Sequence, residues 1–307
     1  MKRAVLTVGE ESETGIRVDK YLSESAQLFT RSQLKRRLIE VRVNDAPAKL
    51  SHRLACGDTV EVVYAEEEPP TVVAEEMRLD ILFEDDNVIV VNKPAGMVVH
   101  PAAGNWTGTL VQGLAFHIGR LRDQLGATNI RPGIVHRLDK DTSGVIIVAK
   151  NTETQESLAR QFRRKSTEKS YLALVKGRVF PVVGTIETCI RRDPVHRKRF
   201  EATPDSGKPS ITDYRVLRQW ERHAFLSLKP RTGRTHQLRV HMASIGHPIL
   251  GDPIYSRPDA DFPEAPLMLH AYRLSITLPS RERVTFRAPL PERFKRLLAE
   301  IARLAPR

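Results

Sequence analysis

Polar and apolar positions along the chain divide it into segments of different period. The runs Asn87–Asn92 and Val145–Ala149 are apolar through their centres and too short for helices, so they read as strands buried on both faces. Thr59–Tyr64 alternates, with Val60 and Val62 opposed to Glu61 and Val63, and predicts a strand bounded by the turn signals Gly57-Asp58 and Arg42-Val43-Asn44-Asp45. Tyr171–Val175, Phe225–Leu228, Leu274–Leu278 and Val284–Arg287 predict further strands. Helical spacing places Leu34 and Leu38 on one face of Arg31–Leu38, with Thr30 as N-cap and Arg31, Lys35, Arg36 and Arg37 outward as a basic face. A second helix starts at Thr152, which with Gln155 makes a capping-box pattern ahead of Leu158 and Phe162. Thr235 is placed to cap a third, whose inner face is Leu238, Met242 and Ile245 and whose end is Gly246 with Pro248 beyond. There Arg239 and Ala243 share a different face, which points Arg239 away from the core. A last helix begins at Pro291 and carries the stripe Phe294, Leu297, Leu298, Ile301 and Leu304.

Charge changes this picture by dividing it. The 307 residues carry a net charge of +12, but residues 1–65 hold +2, residues 66–86 hold −8 and residues 87–307 hold +18. The acidic stretch with Pro69-Pro70 reads as an extended, solvated linker. Two domains follow: residues 16–65, a linker over 66–78, and residues 79–307. Basic excess invites a nucleic-acid partner, although an Arg-rich composition also arises from codon usage. No apolar run approaches the ~20 residues that span a bilayer, no signal-peptide pattern follows Met1, and two cysteines cannot form a disulfide framework or a Cys-rich zinc site. The expectation is a cytoplasmic chain that acts as a monomer, without a membrane partner.

Two segments could carry chemistry. His136-Arg137-Leu138-Asp139-Lys140-Asp141-Thr142-Ser143-Gly144 is a polar run between apolar stretches, hence a loop at a sheet end, where reactive groups are often presented. Asp139 and Asp141 stand among cations, and cations favour the ionised carboxylate that a nucleophile or base needs. The same composition also makes an ordinary Asp/Thr/Ser/Gly turn. Arg234-Thr235-His236-Gln237-Leu238-Arg239-Val240-His241 is the other; its histidines lack metal-site spacing, and Arg239 equally fits a surface ion pair. The Gly-rich phosphate and dinucleotide loops and Gly-x-Ser-x-Gly are absent, so a nucleotide cofactor has no visible cradle.

Together these segments resemble the signatures of RluA-type pseudouridine synthases. Val91-Asn92-Lys93-Pro94-Ala95-Gly96, His100–Asn105, Lys169-Ser170-Tyr171-Leu172-Ala173, Gly246–Asp252 and Leu269-His270-Ala271 extend the likeness in the family's order, and residues 16–64 resemble the S4-like (alpha-L) RNA-binding module that precedes such domains. The resemblance implies an α+β protein: a small S4-like domain and a larger catalytic domain built on a mixed, mainly antiparallel sheet with flanking helices. It implies isomerisation of RNA uridines to pseudouridine with no cofactor and no metal. Asp139 takes the place of the catalytic aspartate, whose first step (attack on the sugar, attack on the base, or proton abstraction) the resemblance leaves open. Arg239 matches the arginine paired with it, Tyr171 the tyrosine packed on the target base, and Arg137 the arginine that opens the RNA around the flipped nucleotide. Details such as Arg192-Asp193-Pro194 are most similar to the RluD branch, which implies large-subunit (23S) rRNA, its helix 69 stem-loop, or a pre-ribosomal particle as the target. Gln112-Gly113 departs from the Asn-Ala common there. Other rRNA or tRNA uridines, or a non-catalytic ribosome-assembly role, are the alternatives; a methyltransferase is disfavoured by the missing Gly-rich methyl-donor loop.

Overall fold

The computed structural model describes residues 1–9, 15–26, 28–29, 34, 38–65, 73–102, 104–125, 133–196 and 198–304. Two compact units result, Met1–Thr71 and Val72–Arg307. Among the described residues no helix is long and apolar enough to cross a membrane.

In the first unit, alternation in Thr59–Tyr64 produces strand β4, whose Val60 and Val62 are fully buried. It pairs with β1 (Lys2–Thr7) on one side and β2 (Leu38–Val43) on the other, with β3 (Ala46–Pro47) at the edge. Strand β1 lies ahead of the expected 16–65 module yet belongs to its sheet. The expected helix over Arg31–Leu38 ends short of its last residue. Leu34 is helical and buried, but Leu38 opens β2, pairing with Tyr64, because that pairing satisfies backbone groups that another helical turn would leave on the sheet edge. Arg31, Lys35, Arg36 and Arg37 lie outside the described residues.

The second unit is built on an 11-stranded sheet. Its strands are β5 (Ile81–Glu84), β6 (Val88–Lys93), β7 (Gly133–Ile134), β8 (Ser143–Ala149), β9 (Glu168–Lys176), β10 (Val183–Arg192), β11 (Phe200–Thr203), β12 (Lys208–Gln219), β13 (His223–Pro230), β14 (Leu269–Thr277) and β15 (Arg283–Arg287). The path runs β11-β10-β12-β13-β9-β14-β8-β6-β5, with β15 on β14 and β7 on β8. Among the described pairs β14 with β8 alone is parallel. That is the mixed, mainly antiparallel α+β architecture expected. All seven residues of β8 are buried, as the apolar run Val145–Ala149 within it requires.

Helices α1 (Leu110–Leu125), α2 (Thr152–Arg164), α3 (Gln237–Ser244) and α4 (Glu292–Leu304) accompany the sheet. The cap of α2 is Asn151, one residue before the expected Thr152; its side chain accepts the Thr154 N–H at 2.9 Å. The stripe on α4 is core as expected for Phe294, Leu297 and Ile301, whereas Leu304, the last residue of the helix, is exposed. The departure at 112–113 has a local cause. Gln112 Oε1 accepts from Thr109 N and Oγ1 at 3.1 and 2.8 Å, and a β-carbon at Gly113 would run into Met77. Residues 73–78, in the expected linker, therefore include a side chain that packs within the second unit, and Glu75 Oε2 accepts the Gly108 N–H at 2.7 Å.

Two cores form on this sheet. One gathers β6, β8 and α1; the other gathers β9, β13, α3 and α4, and Tyr171 packs against both. Gly144, beside the join, has φ +119°, and a β-carbon there would overlap the backbone of Ala271 across the parallel pair. Gly144→Ala should therefore cost on the order of 3 kcal/mol or more and lower the soluble yield, read by denaturant unfolding.

Candidate active site

The loop from β7 to β8 is fastened by residues on both sides of it. Leu138 is buried between exposed Arg137 and half-buried Asp139, so one hydrophobic anchor turns its neighbours outward. His136 stacks on Phe162 with ring centroids 4.6 Å apart, and its Nε2 accepts the Ile147 N–H at 3.0 Å. Burial pushes the His136 imidazole down to about 3, so it stays neutral and serves as an acceptor. From the other side the fully buried Lys93 donates Nζ to the carbonyls of Pro94 and Met97 at 2.8 Å and of Lys140 at 3.0 Å. Burial draws Lys93 down to about 7, against the pull of Asp141 and Asp139.

The opposing segment is held by Gln237. Its Oε1 accepts from Thr232 Oγ1 at 2.7 Å and Arg234 N at 3.0 Å, while Nε2 donates to Ile211 O at 2.9 Å. Thr235, the expected cap, is exposed and caps nothing; α3 starts after His236, which takes a left-handed conformation at φ 55°. The expected face of Arg239 is also corrected. Its side chain is 6% exposed and turned inward, because Asp252, with no exposure at all, supplies a buried counter-charge. The guanidinium donates Nε to Asp252 Oδ2 at 2.7 Å and Nη2 to Oδ1 at 2.8 Å, a planar two-point match. Asp252 is itself steadied by the N–H groups of Ile254 and Tyr255 at 2.9 and 3.0 Å. Burial works against the Arg239 charge, but Asp252, then Asp139, more than offset it and the pKa is raised.

With two donors on Asp252, Arg239 has Nη1 left, and it reaches Asp139 Oδ2 at 3.4 Å. His236 Nε2 lies 3.9 Å from the same oxygen. Among the described residues none bonds the other oxygen, Oδ1, and the Asp139 side chain is 21% exposed to a cavity of about 590 Å³, inside the ~300–1,000 Å³ range of ligand clefts. Tyr171, Arg137, Asp139 and Arg239 all line it. Burial, then the Asp139 charge, raise the Tyr171 phenol, so it is a neutral aromatic wall. The lining also carries the cationic side chains Arg163, Lys165, Arg231 and Arg234, with the more buried Lys169. Such a cavity can receive a planar polar ring against Tyr171, anionic groups beside these cations, and a reacting atom at the free carboxylate oxygen.

All four residues expected from the second unit thus meet in one cleft. Asp252, His236 and Tyr255 were not foreseen as site residues; a lone Asp after Gly251 and a His without metal-ligand spacing carry little signal by themselves. Among the described residues, the one His/Asp group with metal-ligand spacing is His223, Asp259 and Asp261, none of which lines the cavity. Its carboxylates already face Lys176 at 3.5 Å and Arg222 at 3.1 Å.

Comparison with known proteins identifies the family. The RNA pseudouridylate synthase family pattern matches residues 87–244, which contain the Asp139 loop, Tyr171 and Arg239. The chain is 43% identical over 288 residues to the ribosomal large subunit pseudouridine synthase D of Borreliella burgdorferi, covering 92% of this chain and 88% of that protein. It is 42% identical over 305 residues to the RNA pseudouridine synthase YlyB of Bacillus subtilis, covering 98% and 99%. Among solved structures, human RNA pseudouridylate synthase domain containing 1 superposes with a TM-score of 0.56 at 28% identity, covering 78% of this chain and 99% of that one.

Proposed function

The chain belongs to the RNA pseudouridylate synthase family and is an isomerase acting on uridines in RNA; from that premise we propose that Asp139 is its catalytic group and large-subunit (23S) rRNA its substrate. The observation that carries the assignment is the asymmetry of the Asp139 carboxylate in the cavity wall: Oδ2 faces Arg239 and His236, while among the described residues Oδ1 has no hydrogen-bond partner. The isomerisation breaks the bond from ribose C1′ to N1, forms one from C1′ to C5, releases the C5 proton and leaves a proton on N1. A carboxylate oxygen free on one side and charge-balanced on the other suits contact with the nucleotide while the glycosidic bond opens. Tyr171 supplies the face on which the detached base turns. Arg137, exposed at the mouth, takes over the stacking and phosphate interactions that the nucleotide gives up on leaving its helix, a step that costs a few kcal/mol.

The rRNA target rests on the relatives named as ribosomal large subunit enzymes, and within it we assign the helix 69 stem-loop. The first unit, Met1–Thr71, acts as the S4-like RNA-binding domain and the second, Val72–Arg307, as the catalytic domain, in a monomeric, cytoplasmic enzyme needing no cofactor. Chemical mapping of pseudouridine in rRNA from cells lacking this protein should show its loss in the helix 69 loop, restored by the wild-type gene and not by an Asp139→Asn copy. An unchanged map would reject that target.

A further inference from the structure

His236 has a backbone conformation, a burial and a partner that packing alone does not demand. At φ 55° it occupies the left-handed region, which disfavours residues bearing a β-carbon, at the join between the β13 loop and α3. Its ring is held edge-on between Phe200 and Tyr255, with centroids 5.5 and 5.7 Å away. Nδ1 lies 2.9 Å from the Tyr255 hydroxyl, and that hydroxyl also accepts the Phe200 N–H at 2.9 Å.

These contacts select a tautomer. The Tyr255 oxygen receives the Phe200 amide, so its own proton needs an acceptor, and among the described residues that acceptor is Nδ1 of His236. A proton on Nδ1 would leave the hydroxyl without that acceptor, and among the described residues no other faces it. The ring proton therefore sits on Nε2, the nitrogen 3.9 Å from Asp139 Oδ2. Burial lowers the His236 pKa, against the pull of Asp139, so the ring that faces the carboxylate is neutral.

We propose that His236 is a positioning residue for the isomerisation: Tyr255 fixes its tautomer, and its Nε2–H, together with Arg239, holds Oδ2 of Asp139 so that Oδ1 meets the nucleotide. This rests on Asp139 being the group that acts on the nucleotide. The gap of 3.9 Å closes to hydrogen-bond length by a small rotation of Asp139 once a nucleotide engages Oδ1, as catalytic contacts commonly tighten with substrate bound. Phe200 is on β11 and His236 precedes α3, so one side of the cleft sets the orientation of a carboxylate presented by the other.

The test is single-turnover tritium release from C5-labelled RNA, with RNA affinity measured in parallel, on the full chain. His236→Leu should lower the rate about 10- to 100-fold with affinity within about twofold, the scale of one hydrogen bond to a charged group. His236→Gln, whose amide N–H falls near the Nε2 position, should recover most of that loss. Tyr255→Phe, which keeps the ring against Arg239, should slow the reaction about 10-fold, and combining it with His236→Leu should add little, because both act through one chain. A folded His236→Leu or Tyr255→Phe enzyme at the wild-type rate would overturn the proposal, as would a Gln variant no faster than the Leu variant. Asp139→Asn separates the two readings. If it retains activity, the role of Asp139 fails; if it is inactive while His236→Leu is unimpaired, only the role of His236 fails.

Discussion

Asp139→Asn should abolish tritium release from RNA labelled at uridine C5, lowering the single-turnover rate by on the order of 10⁴ or more, while RNA affinity stays within about twofold. The substitution is nearly isosteric and leaves an oxygen or amide facing Arg239, so the cavity keeps its shape. What disappears is the negative charge at Oδ1, and an amide oxygen is neither a useful nucleophile nor a base at neutral pH. Affinity should persist because the cations lining the cavity and Tyr171 are untouched. Stability should also persist. Asp139 is partly exposed, and its removal leaves Arg239 with both of its bonds to Asp252. Wild-type release by a folded Asn variant would remove Asp139 from the chemistry altogether.

Asp252→Ala has the opposite profile and should damage fold and activity together. The carboxylate is fully buried, accepts two guanidinium and two backbone N–H bonds, and is the principal counter-charge for Arg239. Truncating one member of a buried, hydrogen-bonded ion pair strands the other charge, which costs about 3–5 kcal/mol. Denaturant unfolding should register that loss. Single-turnover release at a temperature where the variant is still folded should fall by about 100-fold or more, because Arg239 is then free to reorient and no longer steadies Asp139. A double variant, Arg239→Met with Asp252→Leu, separates the two effects. Replacing the pair by apolar side chains of similar size should restore most of the stability, as buried pairs are often replaceable in this way, yet leave the enzyme inactive. Recovery of activity in the double variant would show that the arginine serves only the fold.

Legibility in the sequence followed burial. The strands Val88–Lys93 and Ser143–Ala149 are legible, to within a residue or two, because short apolar runs rich in Val and Ile suit a buried strand better than a helix. The strands from Val183 to Gln219 are not legible in the sequence: β10 is largely exposed, and β12 alternates in burial through Ser210, Thr212 and Tyr214, but the first two of those buried residues are polar. Helix α3 was readable as a helix, and its facing was not. Leu238 and Met242 lie inward as their apolar character requires, but so do Arg239 and His241. The reason lies outside the helix, in Asp252 for the arginine and in Thr188 and Thr212 for the histidine, whose hydroxyls lie 3.1 and 2.9 Å from its ring nitrogens. A helical wheel assumes that polar means outward, and buried polar partners reverse it.

By itself, then, the sequence determined the family and the division into a near-neutral first segment, an acidic stretch and a basic remainder, and it singled out Arg137, Asp139, Tyr171 and Arg239, which line one cavity. It did so because motifs, charge and short-period burial are local properties. Tertiary structure alone decided that Arg239 points inward, which oxygen of Asp139 is left free, and that Asp252, His236 and Tyr255 belong to the same site. Those outcomes depend on pairings such as Asp139 with Arg239, 100 residues apart, made where the two cores meet around Tyr171. A charge or a hydrogen-bond donor has no direction in a sequence. It acquires one only when burial removes water and leaves a single partner within reach.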